Sequence, residues 1–158
     1  MQRIRAGCDA ILVGAETVRK DNPRLTVRHG GARFQPWRVV VTRSGKVPRS
    51  AKIFRGDLVE RTLVYRDKNW DAILRELYAR GVRRLLVEGG AKTAEGLLGA
   101  GKVNEVVLFF APESSEATPV RVTGWAGWGW REVSVHGVGR DLCLRGTLKR
   151  QFQSVTYS

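Results

Sequence analysis

The chain is poor in the residues that brace small or metal-bound proteins. Of 158 residues, two are cysteine, Cys8 and Cys143, and two are histidine, His29 and His136. No Cys-x-x-Cys pair occurs, and a zinc site needs about four ligands, so no metal site is expected. The two cysteines are expected to be free thiols, buried or half-buried. Long apolar runs are missing as well. No stretch approaches the roughly 18–20 residues of a membrane-spanning helix. The opening Met1-Gln2-Arg3-Ile4-Arg5 does not read as a signal peptide. A soluble cytoplasmic protein with no membrane partner is therefore the expectation. Repeats and Ser- or Pro-rich linkers are also absent, so one domain over residues 1–158 is expected.

Acidic residues are scarce too: 15 against 28 Lys plus Arg, a net charge of +13. Such a surplus suits nucleic acid, an acidic membrane face or phosphorylated small ligands. The basic residues are scattered, with only short pairs such as Arg19-Lys20, Arg83-Arg84 and Lys149-Arg150. No finger, basic heptad or aromatic RNA-binding signature accompanies them. Nucleic acid is therefore not the expected partner.

Apolar patterning is abundant. Asp9 to Gly14, Arg38 to Thr42, Thr62 to Tyr65, Val82 to Glu88 and Val106 to Phe110 read as strands. Arg24 to Arg28 alternates in the same way. Helices are expected at Ala15–Lys20, Asp71–Arg80 and Ala91–Ala100, the second with Ile73, Leu74, Leu77 and Tyr78 on its apolar face. Strands alternating with helices imply an α/β fold with a parallel sheet. Arg131–Val135 and Leu142–Leu148 alternate like a closing hairpin, joined through Gly137 and Gly139. The expected sheet is mixed: parallel first, antiparallel last, with helices on both faces.

One turn carries chemistry. Leu85-Leu86-Val87-Glu88 delivers the chain to Gly89 and Gly90, and a helix starts at once with Ala91, Lys92 and Thr93. Two glycines let backbone approach a ligand closely, and the unpaired amides of a helix start favour an anion. The turn is an anion site or a ligand-free tight turn. Neither Gly-x-Gly-x-x-Gly nor Gly-x-x-x-x-Gly-Lys-Ser/Thr is present.

Several segments together resemble one family. Residues 9–18, Asp-Ala-Ile-Leu-Val-Gly-Ala-Glu-Thr-Val, and residues 21–28, Asp-Asn-Pro-Arg-Leu-Thr-Val-Arg, resemble the opening block of the riboflavin-pathway pyrimidine reductases. Residues 87–98, then 103–106 with Ala111-Pro112, resemble their second signature, and residues 139–144 their closing strand. The resemblance implies a dihydrofolate reductase-like three-layer fold. It also implies an NADPH-dependent oxidoreductase that reduces the ribosyl group of 5-amino-6-(5-phosphoribosylamino)uracil to a ribityl chain.

By the same resemblance Thr17 and Asp21 contact the cofactor, and the stretch from Gly90 to Gly96, Ala91 included, cradles it with Gly89. Arg5, Leu25, Arg28 and Glu88 contact the substrate. Thr42-Arg43-Ser44 ends a strand where dihydrofolate reductase-like proteins hold the adenosine 2′-phosphate, which favours NADPH over NADH. Asp21 and Glu88 are the two acids available to deliver a proton, and the sequence does not choose between them.

The resemblance further implies a homodimer and a separate deaminase protein, since the deaminase zinc signature is absent. The family pattern carries a strand ahead of the position of Arg5, so the domain is expected to be N-terminally truncated with an open sheet edge. Trp125, Trp128 and Trp130 depart from the family; they pack against the sheet or a second subunit, or stack on a ligand ring. Alternative functions are a pterin or other heterocycle reductase of the same fold, and a non-catalytic nucleotide- or nucleic-acid-binding module.

Overall fold

A computed structural model describes residues 1–28, 34–110 and 128–150. The chain divides into two compact units, residues 1–100 and 101–158.

The first unit is built on four parallel strands in the order β3-β2-β1-β4. These are β1 (Ala10–Gly14), β2 (Trp37–Val41), β3 (Thr62–Tyr65) and β4 (Leu85–Val87). β1 is central and every one of its residues is buried, which explains its unbroken apolar run. Its register sets Leu12 beside Val39 and Val87, and Gly14 beside Val41. Around it run α1 (Gln2–Ala6), α2 (Ala15–Asp21), α3 (Trp70–Ala79) and α4 (Ala91–Gly99). Ile11, Val13, Val18, Leu25, Val40 and Ile53 form a core cluster on one side. In α3 the Asn69 side chain accepts from the Ala72 amide and caps the helix start. Trp70, Ile73 and Leu77 are buried, while Tyr78, expected on the same face, is 62% exposed and stacks under Arg83.

The second unit is an antiparallel sheet in the order β5-β7-β6: β5 (Glu105–Phe110), β6 (Trp128–Val138) and β7 (Asp141–Arg150). Gly139, at φ 65°, makes the hairpin turn with Arg140, whereas Gly137 lies inside β6 opposite Leu142. The Trp130 ring sits where a side chain on residue 146 would go. A Cβ on Gly146 would lie 2.6 Å from it, so glycine is required there. Trp130 thus packs on its own sheet; Trp125 lies outside the described residues, as do His29, Gly30, Gly31, Ala111 and Pro112.

The parallel-then-antiparallel order agrees with the patterning, and the pairing is distributed over these two sheets. Two local expectations need correction. Arg24 to Arg28 forms no strand: Leu25 has φ 51°, which breaks the ladder, and the Gln35 amide pairs with both the N–H and C=O of Val27 at 2.9 Å. The fourth strand is limited to Leu85–Val87, because the amides of Arg83 and Arg84 are taken by Asp9 Oδ2 at 2.8 Å. The start of the chain coils into α1, too short to show a period. Cys143 is buried, and Cys8 is half-buried with its Sγ donating to Ile4 O at 3.2 Å. Among the described residues no helix is long and apolar enough to cross a membrane.

Candidate functional site

Parallel strands aim their carboxyl ends at one edge of a sheet, and open α/β sheets bind ligands there. Here that edge carries, in spatial order, Arg66 after β3, Thr42-Arg43-Ser44 after β2, the start of α2 after β1, and Glu88-Gly89-Gly90 after β4. The two turns that the sequence singled out therefore flank one central strand.

The glycine turn departs sharply from β4. The Glu88 amide donates to Leu12 O at 2.9 Å, extending the ladder by one bond. Gly89 and Gly90 then take φ 69° and 78°, which only glycine adopts without strain at these consecutive positions. Gly90 precedes α4 with no side-chain cap, so the first amides of the helix are free of a capping side chain. Thr17, half-buried in α2, closes over the turn. A Cβ on Gly89 or on Gly90 would lie 3.5 Å from its Oγ1. Thr93 is buried in the first turn of α4 and faces Gly14, where an added Cβ would come within 2.8 Å of its hydroxyl. Gly14 is thus the residue that lets the two strand-to-helix turns lie side by side. The sequence shows it only as a glycine between a strand and a helix, and its role was missed there.

At the other turn Thr42 is buried and its amide donates to Tyr65 O at 2.9 Å, anchoring the loop to β3. Arg43 and Ser44 are exposed. Ser44 Oγ accepts from the Lys46 amide at 3.3 Å, and Arg19 Nη1 donates to Lys46 O at 2.8 Å. The Arg66 side chain lies against Gly45, its Nε 3.6 Å from where a Cβ would stand. Arg66 and Arg19 therefore both lie against the 42–46 turn, two cations that the sequence reading did not select because they lie on different elements. A cavity of about 300 Å³ opens beside Arg66, between β3 and α3.

Arg5 and Glu88 meet directly. Arg5 Nε reaches Glu88 Oε1 at 2.6 Å and Nη2 reaches Oε2 at 2.5 Å, a bidentate fork with side chains only 15% and 12% exposed. The Glu88 carboxylate holds the Arg5 guanidinium above its ordinary pKa. The α1 turn delivers Arg5 to this partner 83 residues away.

The remaining residues are placed differently. Asp21 ends α2 and is exposed; Asn22 follows in a left-handed conformation, with its side chain accepting from Lys52 N. Leu25 is buried in the core cluster at 1% exposure. Arg28 is exposed and its amide donates to Gln2 Oε1 at 3.0 Å. Ala91 and Lys92 are exposed at the start of α4, and the Lys92 charge helps Lys20 lower the Glu16 carboxyl. The structure thus joins Thr17, Gly89, Gly90 and Thr93, and separately Arg5 with Glu88. It leaves Asp21 and Arg28 at the surface.

The glycine turn, left-handed at both residues and adjoined by two helix starts, suits a dinucleotide's diphosphate. Residues 1–115 match the model of the RibD C-terminal domain. The chain belongs to the RibD C-terminal domain family. It is 32% identical over 136 aligned positions to riboflavin biosynthesis protein RibD of Synechocystis sp., covering 72% of this chain and 36% of that protein. It is 31% identical over 150 positions to 2,5-diamino-6-ribosylamino-4(3H)-pyrimidinone 5′-phosphate reductase of Aquifex aeolicus, covering 78% and 66%. A solved structure of Acinetobacter baumannii RibD superposes with a TM-score of 0.77 at 22% identity, over 94% of this chain and 49% of that one. The fold is thus the dihydrofolate reductase-like fold of these reductases. The chain spans between about a third and two thirds of the length of these curated relatives.

Proposed function

We propose that this chain is an NADPH-dependent reductase of riboflavin biosynthesis, acting in the cytoplasm on 5-amino-6-(5-phosphoribosylamino)uracil. The observation that carries the reading is the left-handed Gly89-Gly90 turn beneath Thr17 at the carboxyl edge of the parallel sheet. Membership of a family with curated relatives named as reductases supports it.

In this reading Gly89, Gly90 and the amides of Ala91 and Lys92 bind the diphosphate, with Thr17 and the Thr93 amide, which donates to Gly90 O, fixing the turn and Lys92 adding charge. Arg43, Ser44 and the buried Thr42 hold the adenosine 2′-phosphate, because a guanidinium fork matches a phosphate monoester. When bound, the reduced nicotinamide supplies a hydride. The substrate receives it at C1′ of the open-chain ribosyl group. The protein's part is to hold that carbon in place and keep water away.

Arg5 and Arg28 bind the substrate, with phosphate the group best matched to their charge, and Leu25 supports that wall from the core. Both oxygens of Glu88 are engaged by Arg5, so Glu88 acts as an acceptor that orients Arg5 and substrate. That leaves Asp21, exposed at the end of α2, as the acid that moves the proton to the nitrogen of the open-chain C1′=N imine as C1′ takes the hydride.

Two further readings belong here. A separate deaminase protein supplies the substrate. A homodimer forms through the β5-β7-β6 sheet, where Val135, Leu142 and Leu144 share an apolar face and the first two are 60% and 52% exposed.

Mixing the chain with NADPH and the phosphorylated aminouracil tests the proposal by loss of reduced-nicotinamide absorbance. A parallel reaction uses the 2,5-diaminopyrimidinone analogue, which carries an amino group where the uracil carries an oxygen. Turnover of the uracil is the expected result. Turnover of the pyrimidinone alone would reassign the substrate, and turnover of neither would reject the reductase reading for this chain.

A further inference from the structure

The amino-terminal ends of β1 and β2 frame a second cavity, of about 390 Å³, lined in part by Asp9, Phe34, Pro36, Trp37, Arg61 and Arg80. It lies at the opposite end of the sheet from the glycine turn, roughly 15 Å away at about 3.3 Å per strand residue.

Two guanidiniums crowd one indole there. Arg61 lies 4.8 Å and Arg80 5.3 Å from the centre of the Trp37 ring. Their partners differ. Arg80 donates through Nε and Nη2 to Glu76 Oε1 at 3.1 and 2.9 Å, so its charge is matched within α3 and its cap. Arg61 meets no carboxylate among the described residues, and its Nε is shielded from solvent without an acceptor. A guanidinium held against an indole, next to a second cation and with no carboxylate partner among the described residues, can take an oxyanion on its outer N–H groups.

The walls narrow the class. Asp9 brings a negative charge to the cavity, its Oδ2 fixed by the amides of Arg83 and Arg84, and this disfavours a doubly charged phosphate. The 82% exposed Phe34 and the part of the half-buried Trp37 indole that the two guanidiniums leave open offer apolar surface beside the cation. We infer that this cavity binds an aromatic carboxylate, its carboxylate on Arg61 and its ring against the Trp37 and Phe34 surface. The site is independent of the dinucleotide edge.

Benzoate is the probe, titrated into the full chain and followed by the indole N–H and neighbouring amide NMR signals of Trp37. Saturable shifts are expected, unchanged by prior addition of NADPH. Benzamide, the neutral isostere, should leave these signals in place. Arg61→Gln should weaken benzoate at least tenfold, while Arg75→Gln, an equal charge change on exposed α3 surface, should not. The proposal is overturned if benzamide binds as well as benzoate, or if Arg61→Gln and Arg75→Gln behave alike. Tighter binding of inorganic phosphate than of benzoate overturns the carboxylate assignment. The benzoate and benzamide comparison uses the unaltered chain, so it stands even if Arg61→Gln fails to fold.

Discussion

Gly14→Ala probes the geometry that brings the two strand-to-helix turns together. The new methyl would lie 2.8 Å from Thr93 Oγ1, against the 3.4 Å or more of ordinary contact. Thr93 is 4% exposed and Gly14 is buried, so neither side yields without displacing α2 from α4. Overpacking of this kind costs about 1–3 kcal/mol. Thr93→Ala alone removes a buried methyl and hydroxyl, a loss of about 1 kcal/mol by transfer of one carbon. In the double variant the added methyl at position 14 enters the space that Thr93 Oγ1 has left. The two losses should then fall short of their sum by about 1–2 kcal/mol, well beyond the roughly 0.5 kcal/mol within which independent sites add. Urea unfolding of the four proteins, at constant slope, reads this coupling. Additive losses would refute the contact and with it the juxtaposition of the two turns.

Four other outcomes follow from the same geometry. Gly90→Ala must hold φ 78°, ψ 94°, costing about 1–3 kcal/mol if retained; NADPH affinity should fall roughly tenfold to a hundredfold, read by fluorescence titration. Arg43→Ala should weaken NADPH and leave NADH nearly unchanged, and equal loss for both would sink the 2′-phosphate assignment. Arg5→Ala and Glu88→Gln should each destabilise by about 2–4 kcal/mol because each strands a largely buried partner, and the double variant should lose less than the sum. Asp9 is held below its ordinary value of 3.8 by the Arg83 and Arg84 amides. Its contribution to stability is therefore present above that value and lost as pH falls through the lower folded one. Denaturation of Asp9→Asn should accordingly change less between pH 5 and pH 2 than that of the parent, a window set around that ordinary value.

Much of the first unit was readable from pattern because its strands are buried by rule. The unbroken Ala10–Val13 run and the β-branched Val39–Val41 run can be central strands and little else. Arg38 shows where pattern stops. It is 1% exposed within β2, donating to Leu58 O and to Arg24 O, and burial lowers its pKa. An arginine at the edge of an apolar run reads as a solvated end, so its tie between two loops was invisible. The alternation at Leu25 to Val27 correctly foretold which side chains are buried. It failed on backbone, since a glutamine side chain rather than a strand completes the pairing. In the site, local signals gave the glycine turn and the Thr42-Arg43-Ser44 turn. Their common edge, the closure by Thr17, the need for Gly14 and the Arg5–Glu88 fork depend on contacts between distant segments. No local spacing encodes those.

The most direct test of the dinucleotide edge is NADPH titration of the isotope-labelled chain followed by backbone amide shifts. Saturable changes should concentrate at residues 14–17, 42–45 and 88–93, with NADH weaker and the second group of shifts reduced. No saturable change, or changes that spare Gly89 and Gly90, would contradict the account.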